Sequence, residues 1–174
     1  MKKLVISFPG IRGNEIPLLY FGVKHFEDKG YESMFISNPV CEKVWFEEMY
    51  ENAEKVIRKI DFSQYEHIVF VAKSMGTVVA CTLKEKYNIP ASMILYTPLK
   101  ETLPFMKKDN DILLVAAGTE DNWLDTNVLV EACEKEGLNY YIEPGVGHRM
   151  EVIGDLERNL EVLKNVIGKI TTQI

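Results

Sequence analysis

The stretch His67-Ile68-Val69-Phe70-Val71-Ala72-Lys73-Ser74-Met75-Gly76-Thr77-Val78-Val79-Ala80 decides the fold. A β-branched apolar run ends on a serine, and a small-residue segment with helical character begins at once. An apolar run without polar alternation predicts a strand buried on both faces of a parallel sheet. A sharp strand-to-helix turn would lift the serine Oγ clear of the sheet and set a backbone N–H and a helix N-terminus beside it. The backbone passes close on both sides of such a turn, so the positions two before and two after the serine must be small. Ala72 and Gly76 meet that demand. A serine after a strand is also a common helix cap, so the rest of the chain has to decide between nucleophile and cap.

Outward from this stretch, strand-like runs recur at Lys3–Phe8, Ser33–Ser37, Ser92–Tyr96, Ile112–Ala117 and Asn139–Glu143. Amphipathic segments lie between them, at Ile16–Lys29, Val44–Lys59, Gly76–Tyr87, Trp123–Glu136 and Gly154–Lys169. The helix assignments rest on spacing. Phe46, Met49, Tyr50, Ala53, Val56, Ile57 and Ile60 recur at three and four, as do Leu156, Leu160, Leu163, Val166 and Ile170. Gly30 and Gly137 follow charged stretches as helix stops. Strict alternation predicts an α/β fold: a three-layer α/β/α sandwich around a six-stranded, mainly parallel sheet. No repeat, low-complexity tract or charge run divides the chain, so residues 1–174 read as one domain.

Composition narrows the function. Hydrophobic residues make up 47% and charged residues 26%, the balance of a globular protein. A net charge of −6, with no basic stripe, argues against nucleic acid as a partner. No run approaches the ~20 apolar residues of a membrane span, and Leu4–Phe8 is too short for a signal peptide. Cys41, Cys81 and Cys133 are odd in number and form no metal pattern, which predicts buried thiols in a reducing, cytoplasmic setting. The pattern calls for no cofactor and no metal.

Active sites of parallel sheets lie at the carboxyl ends of the strands, so the residues that follow each strand matter most. Pro9-Gly10-Ile11-Arg12-Gly13 follows the first and lacks the Lys-Ser/Thr ending of a phosphate loop. Ser74 follows the third. Gly118-Thr119-Glu120-Asp121-Asn122-Trp123-Leu124-Asp125 follows the fifth, where either Asp121 or Asp125 can orient a histidine or cap a helix. Pro144-Gly145-Val146-Gly147-His148-Arg149 follows the sixth. Of three histidines, His25 falls inside an amphipathic segment and His67 begins a strand, which leaves His148 at the functional edge. Serine, aspartate and histidine together are what nucleophilic catalysis needs. The histidine takes the serine's proton, and the carboxylate fixes the imidazole tautomer and stabilises the imidazolium.

At this point the chain resembles the α/β-hydrolase superfamily, in a small form without a large lid. The nucleophile elbow of that family resembles Ala72-Lys73-Ser74-Met75-Gly76, with Ala72 at the position of the usual first glycine. Its oxyanion loop resembles Pro9-Gly10-Ile11, with Pro9 in place of the usual histidine. Its acid turn is similar to Gly118-Thr119-Glu120-Asp121, and its histidine loop to Gly145-Val146-Gly147-His148. The resemblance implies Ser74 as nucleophile, Asp121 as orienting acid and His148 as general base. It also implies an oxyanion hole from the N–H groups of Ile11 and Met75, and six parallel strands in the order 2-1-3-4-5-6.

Between the fourth strand and the acid turn lies only a short connection, in place of a lid. Its Leu99, Leu103, Phe105 and Met106 are expected to wall an acyl pocket, with Gly10, Arg12 and Trp123 also near substrate. Arg149 is a further candidate for a substrate carboxylate. A shallow site suits a small-molecule acyl substrate, a carboxylic ester or thioester. Amide, lactone or carbon–carbon cleavage on the same trio is an alternative, as is a non-catalytic protein that binds a small molecule or a partner. A nucleotide-binding domain of similar topology is a third, for which the phosphate loop is missing.

Overall fold

Six strands and five α-helices make up the computed structural model, which describes residues 2–38 and 46–171; they alternate except between the fourth and fifth strands, which two 3-10 turns join. Cys41 and the first two residues of the expected helix 44–59 lie outside the described residues. The strands are β1 (Lys2–Phe8), β2 (Glu32–Phe35), β3 (Tyr65–Lys73), β4 (Ala91–Tyr96), β5 (Ile112–Glu120) and β6 (Tyr140–Gly147). The helices are α1 (Pro17–Glu27), α2 (Phe46–Ile57), α3 (Met75–Lys86), α4 (Thr126–Glu136) and α5 (Leu156–Thr171). Every strand pairing is parallel and the order is β2-β1-β3-β4-β5-β6. All strands therefore end at one edge.

The central strands sort their side chains by the two-residue period of the pleat. Leu4, Ile6, Phe8, Ile68, Phe70, Ala72, Met93, Leu95, Val115 and Ala117 face one core, which α2, α3 and α4 close with Met49, Ala53, Ile57, Leu83, Leu129 and Cys133. Val5, Val69, Val71, Ile94, Tyr96, Leu114 and Ala116 face the other, closed by Leu19, Val23 and Phe26 of α1 and Val162, Val166 and Ile170 of α5. Burial on both faces is why these strands read as continuous Val/Ile/Leu runs. Cys81 and Cys133 are free, buried thiols.

Two boundaries and one buried face differ from the sequence expectation in ways that bear on the site. The fourth helix begins at Thr126 and not at Trp123, because the Asp125 carboxylate accepts the Asn127 N–H at 2.8 Å and caps it there. The last strand runs on to Gly147, well past Glu143. Its pairing slips between Gly118 and Glu120, so that Gly147 sits opposite Glu120. The glycines read as a loop are what lets these strands approach: a Cβ at Gly118 would lie 2.0 Å from the Val146 carbonyl oxygen. In α5 the buried stripe is Val162, Val166 and Ile170, while Leu156 and Leu160 stay exposed in the first turns. Two stripes of similar spacing compete on that helix, and only the sheet decides which one is covered. Among the described residues no helix is long and apolar enough to cross a membrane.

Candidate active site

Ser74 stands between β3 and α3 with φ 55° and ψ −126°. A non-glycine residue in such a conformation costs roughly 1–3 kcal/mol and persists only where its surroundings hold it. Here its N–H donates to the Tyr96 carbonyl at 3.0 Å, and its own carbonyl accepts the Thr77 N–H at 2.9 Å and the Thr77 hydroxyl at 2.6 Å. Thr77 Oγ1 in turn shares a hydrogen bond with Thr102 Oγ1 at 2.7 Å. The turn is tight enough that a Cβ on Gly76 would lie 2.2 Å from the Phe8 carbonyl oxygen and 2.6 Å from that of Pro9. The Ser74 side chain makes no cap hydrogen bond to α3. Its hydroxyl is left for another partner.

That partner is His148, the first residue after β6. Its Nε2 lies 2.8 Å from Ser74 Oγ. Its Nδ1 lies 2.9 and 3.0 Å from the two carboxylate oxygens of Asp121, the first residue after β5. Asp121 is buried, and its Oδ1 also accepts the Trp123 N–H at 2.9 Å. With both oxygens accepting, the imidazole proton belongs on Nδ1, which leaves Nε2 free to receive the serine's proton. Asp121 and Asp125 thus divide the two roles open to them in sequence: the first meets His148 and the second caps α4. Trp123 is largely exposed, with its ring centroid 5.4 Å from that of His148.

The loop after β1 reaches the same place. A Cβ on Gly10 would lie 3.0 Å from Ser74 Cβ, so the Gly10-Ile11 backbone runs against the serine. Met75 opens α3, and its N–H is among those with no partner inside the helix. A cleft of about 220 Å³ opens over Ser74. Ile11, Ile16, Met75, Leu99 and Trp123 form its apolar walls, and Arg12, Arg149 and Glu151 stand among them.

Of the four apolar residues expected to wall the cleft, Leu99 does so. Leu103, Phe105 and Met106 do not. They pack against the core on the α2–α3–α4 side, with Met106 2% exposed. The reason is local: Lys100–Phe105 coils into a 3-10 helix, and Thr102 bonded to Thr77 pins that helix against α3. Its apolar side chains then turn inward.

The sequence reading passed over Lys73, Thr97, Ile16 and Glu151. Lys73 is 2% exposed and lines the cleft. Burial pushes its ammonium down to about 8, against the pull of Asp121 and Glu151, and with Arg12 adding to the depression. A lysine that directly follows the five apolar residues Ile68 to Ala72 of a buried strand is a signal that could have marked it.

No family model matches the sequence, and no curated protein matches it. Solved structures do match in shape. An alpha-beta serine hydrolase homologue from Coxiella burnetii superposes with a TM-score of 0.70 at 11% identity, over 96% of this chain and 84% of that one. A Xanthomonas campestris protein, described as an α/β serine hydrolase without a lid, gives a TM-score of 0.70 at 11% identity, over 98% of this chain and 79% of that one. At such identities the likeness is one of fold, and the chain has the α/β-hydrolase fold.

Proposed function

We propose that this chain is a serine hydrolase that cleaves a small carboxylic ester or thioester through an acyl-enzyme. The observation that carries the reading is the unbroken hydrogen-bonded line from Ser74 Oγ through His148 to Asp121, on a strained turn that leaves the hydroxyl uncapped. Binding alone does not require that arrangement.

Ser74 Oγ attacks the acyl carbon while its proton passes to His148 Nε2, and Asp121 stabilises the imidazolium. The carbonyl electron pair moves onto oxygen, where the N–H groups of Ile11 and Met75 receive it. Each such donor contributes about 3 kcal/mol of transition-state stabilisation. Collapse breaks the bond to the leaving oxygen or sulfur, which takes the proton from His148. Water then repeats the sequence, so that the acid leaves and Ser74 recovers its proton.

The size and apolar walls of the cleft favour a modest acyl group. Arg12 and Arg149 beside it suit a substrate that carries a carboxylate. The buried free thiols of Cys81 and Cys133 fit a cytoplasmic enzyme. A fluorophosphonate probe tests the reading, beside a panel of p-nitrophenyl esters and acyl thioesters of varied length. Labelling and turnover that vanish together in Ser74→Ala are the expected result. A folded wild-type protein that neither labels nor turns over any member would mark a binding protein instead.

A further inference from the structure

Lys73 occupies the elbow position that the small-x-Ser-x-small spacing leaves open, and nothing about the turn requires a lysine there. A buried ammonium is costly unless it is fully engaged. Here it is engaged on two sides. Nζ donates at 2.8 Å to Thr97 Oγ1, just past β4, and at 2.8 Å to the backbone carbonyl of His148 itself. Thr97 is completely buried and holds a positive φ of 42°, so the anchor on that side is rigid.

We propose that Lys73 is a positioning residue for His148: its ammonium ties the carbonyl of the histidine to the elbow and to β4, and so fixes the reach of the imidazole to Ser74. The inference rests on the serine-hydrolase reading. The tether joins residues 75 apart in the chain. It acts on the height of the histidine above the sheet edge together with the ring contacts to Ser74, Asp121 and Trp123 and the pairing of Gly147 with Glu120. A lapse of about 1 Å in such a placement can lower turnover on the order of a hundredfold. The same residue brings a positive charge near the imidazole. Asp121 after β5 and Glu151 after β6 face this cation with negative charge, and Arg12 after β1 with positive charge.

Two variants test this, Lys73→Met and Lys73→Gln, the second keeping a polar donor should the first fail to fold. Fluorophosphonate titration counts competent sites, and turnover is expressed per competent site. The expected result is a fall in kcat of roughly 10- to 100-fold with KM nearly unchanged. Turnover per site equal to wild type, or a loss that falls on KM and leaves kcat unchanged, would overturn the positioning role and leave Lys73 a purely structural residue. Wild-type protein that does not label would overturn the hydrolase reading itself, and this inference with it. The two failures are therefore distinct.

Discussion

The two edges of the sheet carry the same three residue types in different geometries. At the carboxyl edge, Ser74, His148 and Asp121 form a line with the histidine in the middle. At the amino edge, Ser92, His67 and Asp111 also meet, but there the serine is in the middle. Its hydroxyl donates to Asp111 Oδ2, and His67 Nε2 lies 3.3 Å away. The other ring nitrogen of His67 meets the Tyr31 hydroxyl. Ser92 is the second residue of β4, buried, with no helix N-terminus behind it. The amino-edge cluster is a clamp that ties β3 and β4 to the segments at Tyr31 and Asp111. Residue types alone do not make a nucleophile. The proton must have a base to go to, and the oxygen must stand clear of the sheet.

The sharpest way to break this contrast is to remove each serine. Ser74→Ala should lower turnover by a factor of the order of 10⁵ to 10⁶ and end fluorophosphonate labelling. Ser92→Ala should leave both within about twofold and lower stability by ~1 kcal/mol, read from urea unfolding. Equal effects would erase the distinction. The acids come next. Asp121→Asn should cost turnover on the order of 10⁴-fold, through an imidazole held in the wrong tautomer. Asp111→Asn should change melting temperature and not kcat, measured side by side.

Lys73 supplies a pH test of stability at the carboxyl edge. Its ammonium titrates at about 8 in the fold against 10.5 when unfolded. Between those values the unfolded chain binds the extra proton, so the contribution of this residue to folding rises as pH climbs from about 8 to 10.5. Below about 8 the penalty is fully present. The span is worth about 3 kcal/mol. The difference in unfolding free energy between wild type and Lys73→Met should therefore grow in favour of wild type across that window. A difference independent of pH would show that the site tolerates the charge without cost. The smallest effect concerns the neighbouring acid: Asp125→Ala should lower stability by ~1 kcal/mol through the lost cap on α4, with turnover unchanged.

Much of this was legible in the residues. The layers followed from strand and helix alternation, the strand order from the resemblance to the α/β-hydrolase superfamily, and the candidate site from what stands after strands three, five and six. Other features were not legible, for reasons that can be named. Asp121 and Asp125 are four residues apart on one loop and chemically equal, and only the approach of β6 selects between them. Leu103, Phe105 and Met106 looked like pocket walls because a short apolar connection has no periodicity to reveal which way it faces. A threonine pair that joins it to α3 turns it inward. The glycine-rich end of β6 resembled a loop because a strand that packs backbone against backbone has no side-chain pattern to read.

By itself the sequence determined the layers, the parallel sheet, the small residues about Ser74 and the order in which serine, acid and histidine arrive. These follow from local periodicity and from steric demands within a few residues. The tertiary structure alone decided that His148 Nε2 meets the Ser74 hydroxyl, that one of two aspartates stands behind it, and that a buried lysine ties the histidine's carbonyl to the elbow. Those contacts join residues 27 to 75 positions apart. Hydrogen bonds of that span depend on strand register and loop path, to within a few tenths of an ångström, and no pattern along a single chain encodes them.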